Sequence, residues 1–272
     1  GGGGRGNGAG MYGVADAGDE RMHITTQGLV LREVSYKEAD KILTVLTPDG
    51  GKRTVRARGC RRKGSPIAAC AQLLVYSDMT LFEYKDYYSL NEGTSLQQFW
   101  GVKADVEKLA LGSYFAEVME AVAEEGRGDP ALLSLILNSL YALDKLNKPQ
   151  AQIKAAYELR LMGLAGYEPL LDGCAVCGRP EPGEPWLSLP EGVLCCAGCR
   201  GEAGEGPFLP LTDGTLAAMR HVAYGSAKRL FSFPAEAAVL ECMGRVCEEF
   251  LVRQLDRGFR TLEFYRQLKA GI

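Results

Sequence analysis

The spacing of apolar positions changes once along the chain. Segments 28–31, 41–47, 52–59, 73–83 and 87–92 carry short apolar runs or alternate apolar with polar residues, and they read as five strands. Between the second and third, Thr47-Pro48-Asp49-Gly50-Gly51 is a turn in which proline restricts φ and glycine relaxes it. Five strands in so little chain predict a small closed barrel, which removes the open edges that a flat sheet leaves.

Past residue 95 the period becomes helical. Val102, Val106, Leu109 and Tyr114 follow it through Glu124, and Gly126-Arg127-Gly128-Asp129-Pro130 stops it. Asp129 is placed to cap a new helix with Pro130 at its first position. Leu132, Leu133, Ile136, Leu137, Leu140 and Leu143 then form a stripe wide enough for a helix buried on most sides. Pro149 opens a helix carrying Ile153, Tyr157, Leu161 and Leu164 as far as Gly166. Thr212 caps a further one, and Phe233-Pro234 precedes a long last helix through Val239, Met243, Val246, Phe250 and Leu255.

Segment 172–200 follows neither period. Within it glycine, proline and glutamate dominate Gly178 to Glu184, a stretch that cannot form its own core, so a metal clip would be needed. The segment holds Cys174-x-x-Cys177 and Cys196-x-x-Cys199 across an 18-residue spacer. Each turn offers two thiolates to one cation, and the two turns complete a tetrahedral sulfur set that leaves no position for water or substrate. The spacing predicts a structural zinc ion, and an iron–sulfur cluster would use the same donors. Cys195 adjoins Cys196, but only Cys196 gives the two-residue gap to Cys199.

The predicted fold class is therefore α+β, a five-stranded barrel followed by an all-helical domain with an inserted four-cysteine module. The expected boundaries are 22–95 for the barrel and 96–272 for the helical domain, with 172–200 inserted in the latter. Glycine-rich residues 1–21 are expected to be a disordered tail or an added extension, with Met22 as a natural start. The nine cysteines, an odd number with four in a metal arrangement, fit a reducing compartment better than a disulfide framework. No apolar run is long enough to span a bilayer, so a cytoplasmic protein is expected.

The net charge of −3 excludes little, because charge is unevenly distributed. Lys52, Arg53, Arg56, Arg58, Arg61, Arg62 and Lys63 occur without one intervening carboxylate. On a strand, Lys52, Thr54, Arg56 and Arg58 share one face and Arg53, Val55 and Ala57 the other. An unbroken run of one sign repels itself, which points to a polyanion partner whose phosphates these groups pair. Tyr76, Phe82, Tyr84, Tyr87 and Tyr88 on neighbouring strands can stack bases or fill the sheet core, and Tyr36 and Phe99 are open to the same two readings. His23 and His221 are the only histidines and lie in no nucleophile motif. There is no phosphate-binding Gly-x-x-x-x-Gly-Lys-Ser/Thr loop and no dinucleotide fingerprint. A binding protein is expected, not an enzyme.

Several segments together carry a family likeness. They are Gly28-Leu29-Val30-Leu31-Arg32, then Glu38-Ala39-Asp40-Lys41-Ile42-Leu43-Thr44-Val45-Leu46-Thr47, then Gly51-Lys52 and Ala57-Arg58-Gly59-Cys60-Arg61-Arg62. Tyr157-Glu158-Leu159-Arg160-Leu161-Met162-Gly163-Leu164-Ala165-Gly166-Tyr167-Glu168-Pro169 leads into the cysteine module, and Arg257-Gly258-Phe259-Arg260-Thr261-Leu262-Glu263-Phe264 closes the pattern. The chain resembles the RecO family of bacterial recombination mediators over about 24–268. The resemblance implies an N-terminal OB-fold, binding of single- and double-stranded DNA, and annealing of complementary strands in DNA repair and recombination. It also implies association with RecR and with the acidic C-terminal tail of single-stranded-DNA-binding protein (SSB), so that RecA is loaded on coated DNA near the nucleoid. By the same resemblance Arg53, Arg56, Arg58, Arg61, Arg62 and Lys63 would face DNA, and Arg127, Lys154 and Arg160 are considered for the tail-binding groove. Three readings compete with this one: a protein-only scaffold whose basic face meets acidic partners, a nucleic-acid-modifying enzyme with a dispersed site, and an RNA-binding barrel.

Overall fold

The computed structural model describes residues 22–234 and 236–272, so the expected tail at 1–21 lies outside the described residues. Strands β1 (His23–Tyr36), β2 (Asp40–Thr47), β3 (Gly51–Ala57), β4 (Tyr76–Glu83) and β5 (Tyr88–Gln97) close in the order β1-β2-β3-β5-β4. β1 pairs antiparallel with both β2 and β4, and the closing pair β3–β5 is parallel. This is the strand order of an OB-fold.

The near-continuous apolar runs in β1 and β2 have a physical cause. Val30, Leu43 and Val45 point into the barrel with Val55, Met79, Leu81 and Leu90. Their neighbours Leu29, Leu31 and Leu46 point outward into the helical core. A strand covered on both faces loses the alternation that a half-solvated strand keeps.

The β2–β3 turn docks on the helical domain through main chain. Lys52 N donates to Glu124 O at 3.1 Å and Gly126 N to Gly50 O at 3.0 Å. Gly51 has φ +63°, and a Cβ there would run into the Glu124 carbonyl. No other residue type fits that close approach without moving the backbone.

The helical domain comprises α1 (Trp100–Lys103), α2 (Val106–Val122), α3 (Pro130–Lys145), α4 (Gln150–Leu164), α5 (Asp213–Tyr224), α6 (Ala237–Leu255) and α7 (Arg260–Ala270). Asp129 Oδ1 accepts from Ala131 N at 2.9 Å and Thr212 Oγ1 from Thr215 N at 3.1 Å, the two caps predicted from sequence. The closing segment is where the sequence reading is incomplete. Asp256 adopts a left-handed conformation (φ 50°) and ends α6, after which a separate α7 turns back onto α2.

One charged group of side chains lies inside this domain. Lys154 Nζ is 3.1 Å from Glu158 Oε1 and 2.6 Å from Glu248 Oε2, and Tyr114 donates to Glu158 Oε2 at 2.7 Å. Glu248 is also paired with Arg266. Burial opposes the Lys154 charge, yet the fields of Glu158 and Glu248 outweigh it and hold its pKa above the ordinary value. Burial pushes the carboxyl of Glu158 up, against the pull of Lys154.

The cysteine module contains three short strands, β6 (Trp186–Ser188), β7 (Leu194–Cys195) and β8 (Phe208–Pro210), in the order β7-β6-β8. Leu187, Leu194 and Leu209 enter the main core from this sheet, which therefore leans on the helices and extends past residue 200 to Pro210. Among the described residues no helix is long and apolar enough to cross a membrane.

Candidate nucleic-acid interface and metal centre

Of the seven basic residues predicted to meet a polyanion, the fold places four on the surface and occupies three. The corner between β3 and the following loop is built around Asp40. Its Oδ1 accepts from Gly59 N at 2.8 Å, and its Oδ2 accepts from Arg56 at 2.8 Å. The Gly59 amide and then the Arg56 guanidinium hold the Asp40 carboxyl below its ordinary value of 3.8. Arg56 is largely covered and also lies over the Tyr36 ring at 5.0 Å. It is a structural cation that fixes the loop.

Lys52 is likewise engaged: its Nζ donates to Glu120 O at 2.8 Å, tying β3 to α2. Arg53 has the inward parity of Val55 and Ala57. It escapes burial at the barrel end by lying over Tyr88 at 4.6 Å, with Nε donating to Thr47 Oγ1 at 3.2 Å. The self-repulsion expected of this run is therefore relieved partly by Asp40, a carbonyl and two π faces. No spacing within 52–63 could reveal that, since Asp40 reaches Arg56 only through the β2–β3 pairing.

Arg58, Arg61, Arg62 and Lys63 are exposed, and among the described residues none of them makes an ion pair. Their loop is tied to the barrel by main-chain hydrogen bonds. Arg61 N donates to Ala39 O at 3.0 Å and Arg62 N to Gly59 O at 3.1 Å, while Cys60 is anchored in the barrel core. Beside the loop lies a cleft of about 590 Å³. Arg58, Arg62, Lys63, Phe82, Tyr84, Ser89 and Asn91 are among the residues that line it, and the lining holds no carboxylate. Tyr84 and Tyr87 flank the β4–β5 turn and stack at 5.0 Å between ring centroids with planes 8° apart. Arg58 sits 5.6 Å over Tyr84, and its guanidinium is 3.5 Å from Tyr87 Oη. The aromatic residues β4 and β5 supply were legible as a group, but which of them face one cleft follows from the turn.

Of the residues considered for an acidic tail, Lys154 belongs to the buried network described above and cannot receive a ligand without breaking it. Arg160 donates to Gly225 O at 2.6 Å and helps hold α4 against the end of α5. Arg127 is exposed beside Glu124, 3.7 Å away. Elsewhere, a cavity of about 460 Å³ is lined by Lys108, Lys148 and Lys269 together with Leu143, Ile153 and Tyr265, and Lys269 is also paired with Glu107 at 3.3 Å.

The two Cys-x-x-Cys turns meet. The Sγ atoms of Cys174, Cys177, Cys196 and Cys199 all lie within 4.8 Å of one another. Cys177 Sγ and Cys196 Sγ are 3.8 Å apart. That is the edge, about 3.8 Å, of a tetrahedron of sulfurs each about 2.3 Å from a central ion. Gly178, at φ +72°, closes the first turn by donating to Cys174 O at 2.9 Å, and Cys199 N donates to Cys196 O at 3.0 Å in the second. Amides of Cys177 and Cys196 point at Cys174 Sγ at 3.5 and 3.4 Å.

Burial opposes ionisation of Cys174, but those amides outweigh it and bring the thiol down to about 6. Burial and the neighbouring thiols push Cys199 up to about 12. Four sulfurs so close cannot all ionise unless a cation joins them, and the donor set fits a thiophilic metal ion. Cys195 is outside the cluster: it is buried on β7, and burial pushes its thiol up.

Residues 22–99 match the family described as Recombination protein O N terminal, and residues 103–263 match Recombination protein O C terminal. The chain is 31% identical over 247 residues to the DNA repair protein RecO of Acetivibrio thermocellus, covering 90% of this chain and 97% of the relative. It is 29% identical over 248 residues to the DNA repair protein RecO of Alkaliphilus metalliredigens, covering 91% and 100%. To that of Rubrobacter xylanophilus it is 34% identical over 199 residues, covering 73% and 79%.

Proposed function

From the premise that the chain belongs to the RecO family of DNA repair proteins, we propose that it is a non-enzymatic DNA-binding and strand-annealing factor. The observation that carries this reading is the carboxylate-free cleft beside Arg58, Arg62 and Lys63, on a loop fixed before any ligand arrives. Cations held in place neutralise phosphates at little ordering cost, and pairing two strands then costs less mutual repulsion. Contacts of this kind address the backbone, so little sequence preference is expected. The work of annealing is done by base pairing, and no group in the cleft need act as acid, base or nucleophile.

The partners follow from the same premise. RecR and RecA join the reaction on coated DNA, and the acidic tail of SSB is captured at the cavity rimmed by Lys108, Lys148 and Lys269, where apolar residues take its end and ammonium groups its carboxylates. The test is annealing of complementary oligonucleotides coated with SSB. The protein is expected to accelerate annealing at low salt, to lose the effect as salt rises, and to leave both strands chemically intact. Strand cleavage or base conversion would make it an enzyme. Absence of any oligonucleotide binding would leave the protein-only scaffold.

The four-cysteine site holds one structural zinc ion. Elemental analysis of the purified chain is expected to give one zinc per polypeptide, and Cys177→Ser to abolish it. The same variant should become sensitive to protease within 178–185, the mostly exposed stretch between the first ligand pair and β6. Full retention of the ion by Cys177→Ser would remove Cys177 from the ligand set.

A further inference from the structure

We propose that Glu107 is a built-in competitor for the acidic tail: its carboxylate occupies Lys269 at the helical-domain cavity, and a captured tail must take that lysine from it. This rests on the tail-capture reading above and adds a means of tuning that site. The lining of the cavity holds Lys108, Lys148 and Lys269 and no carboxylate. Among the described residues Lys108 and Lys148 make no ion pair, whereas Lys269 Nζ lies 3.3 Å from Glu107 Oε2.

Each partner of that pair sits where its helix favours its charge. Glu107 stands in the first turn of α2, beside Lys108, and Lys269 in the last turn of α7. Within α7 only Leu262 and Tyr265 are buried, and Tyr265 Oη donates to Gln150 Oε1 at 2.9 Å on the cavity wall. Past Tyr265 the end of the helix is held by half-buried Leu268 and by the pair with Glu107. The Glu107 and Lys269 side chains are 35% and 50% exposed, so an incoming carboxylate reaches the ammonium group without unfolding anything. Its arrival replaces one carboxylate by another. Lys269 is paired before and after, and its net contribution to capture is small while Glu107 is present. Lys108 and Lys148, without an ion pair in the free protein, each gain a partner outright.

The experiment measures the affinity of the full chain for a fluorescent peptide of the SSB tail, in a double-mutant cycle on Glu107 and Lys269. Glu107→Gln is expected to bind about two- to fivefold more tightly than wild type, the range of an exposed ion pair. Lys269→Met should change the wild-type affinity by less than about twofold, yet remove the whole gain from the Glu107→Gln chain. Lys148→Met should weaken both backgrounds by the same factor. Equal binding by wild type and Glu107→Gln would overturn the competitor and leave tail capture standing. So would a gain from Glu107→Gln that persists undiminished beside Lys269→Met, because the carboxylate would then act only as a distant charge. Binding by neither wild type nor Glu107→Gln would overturn the tail-capture reading as well.

Discussion

Removing three charges together, Arg58→Ala, Arg62→Ala and Lys63→Ala, is expected to weaken single-strand binding about a hundredfold at 0.1 M salt. Each phosphate contact on a single strand contributes about 0.7 to the slope of log affinity against log salt. Three lost contacts therefore make that slope about two less steep, and at 0.1 M the same term amounts to about two orders of magnitude. Arg56→Gln is the control that distinguishes this site from general charge loss. Arg56 is spent on Asp40, so its removal should disturb the loop's anchoring and leave the slope nearly unchanged. A titration in which the triple variant and the wild type share one slope would remove the loop from the DNA interface.

Lys154→Met is the substitution expected to cost most in stability. Lys154 and Glu158 are almost wholly covered, at 8% and 0% side-chain exposure. Taking away the ammonium leaves the Glu158 carboxylate with the Tyr114 hydroxyl, beside a second carboxylate at Glu248. Breaking a buried pair from one side costs about 3–5 kcal/mol, most of it the uncompensated charge. Pairing the change with Glu158→Leu should recover much of the loss, because the burial penalty then falls on neither group. Urea unfolding of the single and double variants measures both. A single variant within about 1 kcal/mol of wild type would show that the network is solvated in a way its burial denies. DNA affinity should follow neither variant, since the network lies in the helices and not at the cleft.

These two expectations separate what is legible in the chain from what is not. The barrel, the caps at Asp129 and Thr212 and the four sulfur ligands are local: alternation, a capping side chain and a two-residue gap each act within a few residues. The last helix reads through Leu255, where α6 ends, but α7 is missed: Asp256, a non-glycine residue in the left-handed region, turns the chain back into a second helix. The apolar runs of β1 and β2 are visible as strands, but that both faces are covered, and which residue serves which core, is not.

By itself the sequence determined which side chains could meet a polyanion and which could meet a metal, because composition and spacing are properties of the chain. Tertiary structure alone decided that Arg56 and Lys52 are tied up by Asp40 and the Glu120 carbonyl, that Lys154 is sealed among carboxylates, and that Arg58, Arg62 and Lys63 share a hollow with Phe82 and Tyr84. Whether a charge is available depends on what lies within a few ångströms of it, and those neighbours arrive from strands and helices distant in sequence.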